Sequence, residues 1–450
     1  MASNFCTACG NRLQPHEHFC PRCGAPVANL PVGLAASPAY GKLVVPQPAT
    51  PANRRGRVRI FAGLAIVIIS MVLTRVIYPL FDNSLPSNVA TFSLDQSSSV
   101  DTMAWSPDGT HFAAAIEGYD AATGSNRMAV YVWEVASGHL VTTFGGHPTT
   151  INALAWSSDG REIVSGSASQ EQQGTPGAAV AALIQVWNAT NGQTVVTYRG
   201  HSADEVDALS WAPDGHALVS SGLDWSAPSA NSSDQPGVDV SVLEWNMSTH
   251  SEGVHYHTQH IQLSNVTSLA WSPDGKYVAA AGQGLILWNA ATGTLRWSSN
   301  TSEEQVAWSP DSRYLVSYGV DFNGSYTSEI KRMKVWDVAT GKNIATIQTG
   351  GVDALDLVWL PNGKIAAVLY NLQGGSTGTV SVWTVSATGQ LGSSPCTNQF
   401  PFTHDEPTGP DHKNFHFIVK HAQLSPDGRR LAVAWSSPGR NIDVWQVGCV

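Results

Sequence analysis

Charge is scarce in this sequence. Lys, Arg, Asp and Glu make up 13% of 450 residues, about half the share of an ordinary globular protein. Gly, Ser and Thr fill the gap. That balance disfavours helices, which draw on Glu, Lys, Leu and Ala, and suits short strands joined by turns. Cysteine is scarcer still: six residues, four of them within the first 25. Long apolar runs are nearly absent, with one exception at residues 60–81. No nucleophile–base pair, phosphate loop or paired carboxylate stands out, so no enzymatic class is legible. The chain is too long for one ordinary core, and several modules are expected.

Positive charge is missing from most of the chain. Up to residue 81 there are eight Lys or Arg and one acid, Glu17; the remainder carries 16 bases against 33 acids. An acidic surface repels phosphates, which argues against nucleic acid as a partner of the C-terminal part. The basic residues cluster as Arg54, Arg55, Arg57 and Arg59, just before the apolar run. From Ile60 to Phe81 there is one charge, Arg75, near the end, where it can snorkel. As a helix these residues reach about 33 Å, enough for the hydrocarbon layer. A buried core helix would show polar positions at a period of 3.6, and this run does not. The run predicts one transmembrane helix (60–81, within a 54–81 segment).

No Lys or Arg follows Arg75 until Arg127. The positive flank stays in the cytoplasm, so the N-terminus is expected inside and the C-terminal part outside, in the cell membrane. A cleaved signal peptide is the rival reading. The 59 preceding residues and the lack of an A-x-A site disfavour it.

The four N-terminal cysteines form two pairs, Cys6-x2-Cys9 and Cys20-x2-Cys23, with Gly10 and Gly24 after them. Each pair places two sulfurs on one tight turn, and four thiolates make a closed tetrahedral site for Zn²⁺. Iron is chemically feasible there. Free thiols or disulfides are the alternative, but a reducing cytosol disfavours disulfides, and so short a segment cannot bury a core without a metal. His16 and His18 read as solvated neighbours. The stretch resembles the short bacterial zinc-ribbon family over residues 4–27, with Pro21 in the second motif and Thr7 where the first proline usually stands. The resemblance implies one structural zinc on Cys6, Cys9, Cys20 and Cys23, and a docking role for a cytoplasmic partner. Residues 28–53, with five prolines and no acid, read as an extended linker.

After a short tether (82–88), residues 89–450 repeat themselves. One mark is Trp105-SPDG, Trp156-SSDG, Trp211-APDG, Trp271-SPDG, Trp308-SPDS, Trp359-LPNG and Leu424-SPDG. A second mark alternates with it: Trp133, Trp187, Trp245, Trp288, Trp336, Trp383 and Trp445. Around each pair, alternating apolar positions bounded by turn residues predict four short strands, which cannot bury both faces alone. Seven copies stacked about an axis can. The repeat resembles the WD40 β-propeller family, with Gly146-His147, Gly200-His201 and Trp336-Asp337 matching its G-H and W-D dipeptides, and the SPDG-type bacterial propellers. Most copies lack these dipeptides, so the family's side-chain network is expected to be mostly absent. The fold expected is all-β: a seven-bladed propeller preceded by a zinc ribbon and one transmembrane helix.

The turn acids Asp108, Asp159, Asp214, Asp274, Asp311 and Asp427 read as turn caps rather than cation ligands. His255, His257 and His260 have some metal-ligand spacing, but nothing else converges there. Asn-x-Ser/Thr at Asn188, Asn231, Asn246, Asn265 and Asn300 matters only in a glycosylating host. The chain ends on a third strand, and "NVATFSL" near residue 88 has the pattern of the missing fourth. A Cys396–Cys449 disulfide is an open expectation on the oxidising side. The segments between second and third strands are long (117–127, 167–182, 222–238, 319–329 and 371–378) and carry Tyr119, Trp225, Phe322 and Tyr326. Long loops on a rigid scaffold predict a protein- or peptide-binding face. The short tether places the opposite, short-turn face toward the lipid. Function is thus expected to be non-enzymatic, a membrane-anchored interaction module. An extracytoplasmic propeller hydrolase or lyase, or a ligand sensor, is the alternative.

Overall fold

Alternating strands and left-handed turn residues build seven four-stranded antiparallel sheets. The computed structural model describes residues 87–450 apart from 95–97, 121–124, 169, 172–178, 181, 200, 202–204, 227–236, 258–265, 323–328, 371–376, 387–390, 402–404, 409–412, 417, 437–440 and 449–450. The ribbon cysteines, the linker, the apolar run and Cys449 lie outside the described residues. Among the described residues no helix is long and apolar enough to cross a membrane.

From inner to outer strand, blade one is Ser99–Trp105, His111–Asp120, Ser125–Glu134 and Leu140–Phe144. Blade two is Ile151–Trp156, Glu162–Ser167, Leu183–Asn188 and Thr194–Arg199. Blade three is Val206–Trp211, Ala217–Ser226, Gly237–Asn246 and Ser251–Tyr256. Blade four is Val266–Trp271, Tyr277–Gly282, Leu285–Asn289 and Leu295–Ser299. Blade five is Glu303–Trp308, Tyr314–Phe322, Glu329–Asp337 and Lys342–Gln348. Blade six is Asp353–Trp359, Lys364–Tyr370, Thr377–Val385 and Leu391–Pro401. Blade seven takes Ile418–Leu424, Arg430–Ser436 and Asn441–Gln446 from the end of the chain and Asn88–Ser93 from its start. The borrowed strand, which the sequence predicts, pairs Phe92 with Ile442 and Thr91 with Asp443. Cys396 falls inside the outer strand of blade six.

The turns between first and second strands repeat one design. Asp159 Oδ1 accepts from Ser157 Oγ at 2.7 Å and from Arg161 N–H at 3.0 Å, and Asp274, Asp311 and Asp427 repeat the pattern. The Ser157 bond, first, holds the Asp159 carboxyl below its ordinary range. These acids are turn caps, not cation ligands. Blade five has Ser312 at φ 59° where its neighbours have glycine. The strain has a return: Ser312 Oγ accepts the Asp274 N–H of blade four at 3.0 Å.

The apolar core is divided among the seams. Seven buried clusters each join two adjacent blades, including blade seven to blade one through Phe92, Trp105, Phe112 and Ile442. The turn-motif tryptophans staple several seams. Trp105, Trp156, Trp211 and Trp308 each donate the indole N–H to a carbonyl of the preceding blade's inner strand (Gln423, Ala104, Ala155 and Ala270) at 3.0–3.3 Å.

Candidate functional site: the hairpin face

Antiparallel order puts the second-to-third-strand connections and the passages between blades on one face. Much of what the sequence suggests is loop is paired strand. In blade one the ladder runs out to Asp120 opposite Ser125, in blade three to Ser226 opposite Gly237, and in blade five to Phe322 opposite Glu329. Blade six extends to Tyr370 opposite Gly378, and blade two carries a separate ribbon, Gln170–Glu171 with Ala179–Val180. Blade four turns tightly between Gly282 and Leu285. Polar residues continue an antiparallel ladder wherever both strands extend in register, so composition alone misreads them. Tyr119 is 53% exposed and Ile330 37% on these hairpins. The side chains of Trp225, Phe322 and Tyr326 lie outside the described residues.

At the start of every inner strand the register slips by one residue, a β-bulge repeated seven times. The bulged residues are Asp101, Asn152, Asp207, Thr267, Glu304, Leu355 and Lys420. Bulges re-aim side chains, and these contact the neighbouring blade. Lys420 Nζ lies 3.3 Å from Asp101, Asn152 bonds Glu205, and Thr267 Oγ1 donates to the Glu304 carbonyl at 2.7 Å. Burial raises the Asp101 carboxyl despite Lys420. In five blades the signal in sequence was a polar residue four positions before the turn-motif Trp; blade six has Leu355 there, and in blade seven Lys420 precedes Leu424.

Beneath this rim lie His–Ser–Trp chains in two blades. In blade two His147 Nε2 meets Ser165 Oγ at 2.6 Å, and Trp187 Nε1 donates to the same oxygen at 3.1 Å. In blade three His201 Nε2 meets Ser220 Oγ at 2.8 Å, Trp245 Nε1 donates to it at 2.8 Å, and His201 Nδ1 lies 3.4 Å from Asp224 with Ser241 between. In blade five Trp336 donates to Ser317 Oγ at 2.8 Å without a histidine. The expected loss of the network therefore holds for four blades, where the serine position is Ala114, Ala280, Ala367 and Val433. The recurring V-S of "IVSGS", "LVSSG" and "LVSYG" was the sequence signal for the serines.

Blade three thus contains Ser, His and Asp in the order of a hydrolytic triad, but its chemistry is shut off. Ser220 is fully buried and its oxygen is engaged by Trp245, so no substrate carbonyl can approach. Burial pushes His147 down to about 4, leaving it neutral and enclosed. These chains position strands.

Blade five replaces the histidine chain with charge. Glu303 stands where the other blades have an apolar residue or alanine, and is fully buried. Arg332 Nη2 is 3.6 Å and Lys334 Nζ 3.4 Å from its carboxylate, and both also approach Asp321. Burial raises the Glu303 carboxyl, and the Ser317 and Thr301 hydroxyls and the two cations oppose it. Next to it Lys331 pairs with Asp353 of blade six at 2.6 Å. Sequence reading missed this cluster, because its other members lie 18 to 31 residues from Glu303.

Elsewhere, a cleft of about 690 Å³ opens between blades two and three, lined by Gln185, Thr197, Arg199, Trp245 and His250 among others. His255 is engaged by Glu252, and its ring lies 6.1 Å from His257; His260 lies outside the described residues. Asn188 and Asn246 cap turns through their Oδ1 atoms.

Comparison with known proteins agrees with this geometry. Residues 5–27 match the zinc-ribbon domain, and residues 138–170, 192–227 and 253–289 match the WD domain, G-beta repeat. Each WD match starts in or beside an outer strand and runs into the next blade. The chain is similar to cell division cycle 20.1, cofactor of APC complex, of Arabidopsis thaliana (27% identical over 249 residues, 53% of this chain and 46% of that protein). It is similar to WD repeat-containing protein slp1 of Schizosaccharomyces pombe (25% over 291 residues, 59% and 54%) and to protein HIRA of Zea mays (33% over 119 residues, 23% and 12%). It spans about half or less of the length of these relatives. A chain in the crystal structure of a mitotic checkpoint complex shares the fold, with TM-score 0.55 and 20% identity, covering 92% of this chain and 99% of that one. The chain carries WD repeats on a seven-bladed β-propeller, and a zinc-ribbon sequence at its N-terminus.

Proposed function

We propose that this propeller is a protein-interaction module whose hairpin face receives a protein or peptide partner, and that residues 60–81 anchor it in a membrane with the zinc ribbon on the cytoplasmic side. The observation that carries the binding reading is the extension of second and third strands on one face of blades one, three, five and six. Rigid ladders project side chains outward at little entropic cost on binding. The Arabidopsis relative, a cofactor of a complex, fits an interaction role. The sealed serines favour binding over hydrolysis.

The membrane reading rests on the single-charge run and the arginines before it. Modification of intact cells with an impermeant reagent or protease should reach the 167–182 and 222–238 segments and leave residues 1–50 untouched. Labelling of the N-terminus instead would overturn the topology. A partner that still binds after both segments are shortened would overturn the face.

Cys6, Cys9, Cys20 and Cys23 supply four thiolates, a donor set that suits one tetrahedral structural Zn²⁺. Metal analysis of the chain should give one zinc equivalent, and Cys9→Ser should lose it. Retention at full affinity would rule out this ligand set.

A further inference from the structure

The seven inner strands stand side by side around the axis. Among the described residues, at five of the seven seams a polar side chain of one inner strand bonds the backbone of the next. Ser210 Oγ accepts from Trp271 N–H at 3.0 Å and Ser268 Oγ from Val306 N–H at 3.3 Å. Gln305 Nε2 donates to the carbonyls of Ala354 and Leu355 at 3.3 and 3.2 Å. Asp356 Oδ2 accepts from Leu424 N–H at 2.7 Å, and His421 bonds the backbone of Val100. The direction is constant: blade n reaches blade n+1. Three stitches are uncharged at any ordinary pH. The two that can ionise, Asp356 and His421, occupy the two seams of blade seven, the blade assembled from both ends of the chain.

We propose that Asp356 and His421 form a pH-responsive pair at the two seams that close the ring, acting in opposite directions so that their effects offset each other in mild acid. The charged groups around them are few. Lys420 is on the strand of His421, with Asp101 and Glu117 facing from blade one; Asp353 is on the strand of Asp356, with Lys331 and Glu304 in blade five. Lys420 pairs with Asp101 and Lys331 with Asp353, so among the described residues no unpaired lysine stands against Asp356. His421 Nε2 is buried with no hydrogen-bond partner among the described residues.

The signs follow from the environments. Burial raises the Asp356 carboxyl to about 7, against the N–H groups of Leu424 and Leu357. A raised acid stabilises the fold fully below its ordinary value near 4 and loses that contribution as pH climbs to about 7. Burial and then Lys420 lower the His421 imidazole to about 4, against the Val100 bond. A lowered base contributes fully above about 6.5 and loses that contribution as pH falls toward 4. Between about 4 and 6.5 the two slopes cancel.

The test is urea unfolding of the full chain, followed by Trp fluorescence from pH 4 to 8, with each variant compared to the parent. Asp356→Asn should gain stability relative to the parent as pH rises, by nearly a factor of ten in the unfolding constant per pH unit between about 4 and 7. His421→Gln should gain by a similar factor as pH falls from about 6.5 to 4. Asp356→Ser copies the Ser268 stitch and keeps the comparison available if the amide variant does not fold. Difference profiles that are flat in pH, or that slope the same way for both positions, would overturn the proposal.

Discussion

Deleting residues 88–93 should unfold the propeller as a unit rather than trim one edge. The strand carries Phe92, which is 3% exposed and stacks on Trp133 of blade one at 4.9 Å between ring centroids. It also carries Thr91 and Asn88, which both donate to Asp443 Oδ1, at 2.7 and 3.2 Å. One short segment therefore holds the last strand of the chain and packs against the first blade. Phe92→Ala alone should cost about 3–5 kcal/mol, a large part of the roughly 5–15 kcal/mol that holds a domain together. Removing the whole strand also opens the edge of Asn441–Gln446 to foreign strands. Thermal unfolding should shift strongly downward and aggregation should rise, while Val89→Ser at an exposed position of the same strand should do little. A deletion variant that melts like the parent would contradict closure by this strand.

Glu303→Ala is the second large effect. It leaves Arg332 and Lys334, 3% and 6% exposed, facing Asp321 alone. Breaking a buried pair from one side costs about 3–5 kcal/mol, because the remaining charge stays desolvated. Replacing the whole set should cost far less. Blade two shows how: Ile151, Leu183 and Gln185 stand in register with Glu303, Arg332 and Lys334. The triple variant Glu303→Ile, Arg332→Leu, Lys334→Gln should recover most of the stability lost by Glu303→Ala. Denaturant midpoints measure both. Equal loss in the single and triple variants would show that the cluster contributes through more than its own charge balance.

The blade count, the turn chemistry and the borrowed strand were legible from the sequence alone, because each is local. Ser, Asp and Gly cooperate within five residues in the turn from Ser157 to Glu162, and strand alternation needs only its own neighbours. Phe92 could be matched to Tyr198 by its distance from the next turn motif, since the repeat preserves that spacing. The paired cysteines of the N-terminus are equally local, as is the apolar run.

Tertiary structure decided what depends on register and on neighbouring blades. Ser165 meets Trp187 and His147 only because two strands align beneath the passage from blade one, and one residue of slip would turn the hydroxyl to the other side of the sheet. The second-to-third-strand segments continue as ladders because both arms extend in register, which polar composition does not reveal. Asp356 and Leu424 are 68 residues apart in sequence and 2.7 Å apart across a seam. Their contact exists because the ring brings inner strands together at equal heights, and burial between those strands, not residue type, sets whether a carboxyl there holds its proton.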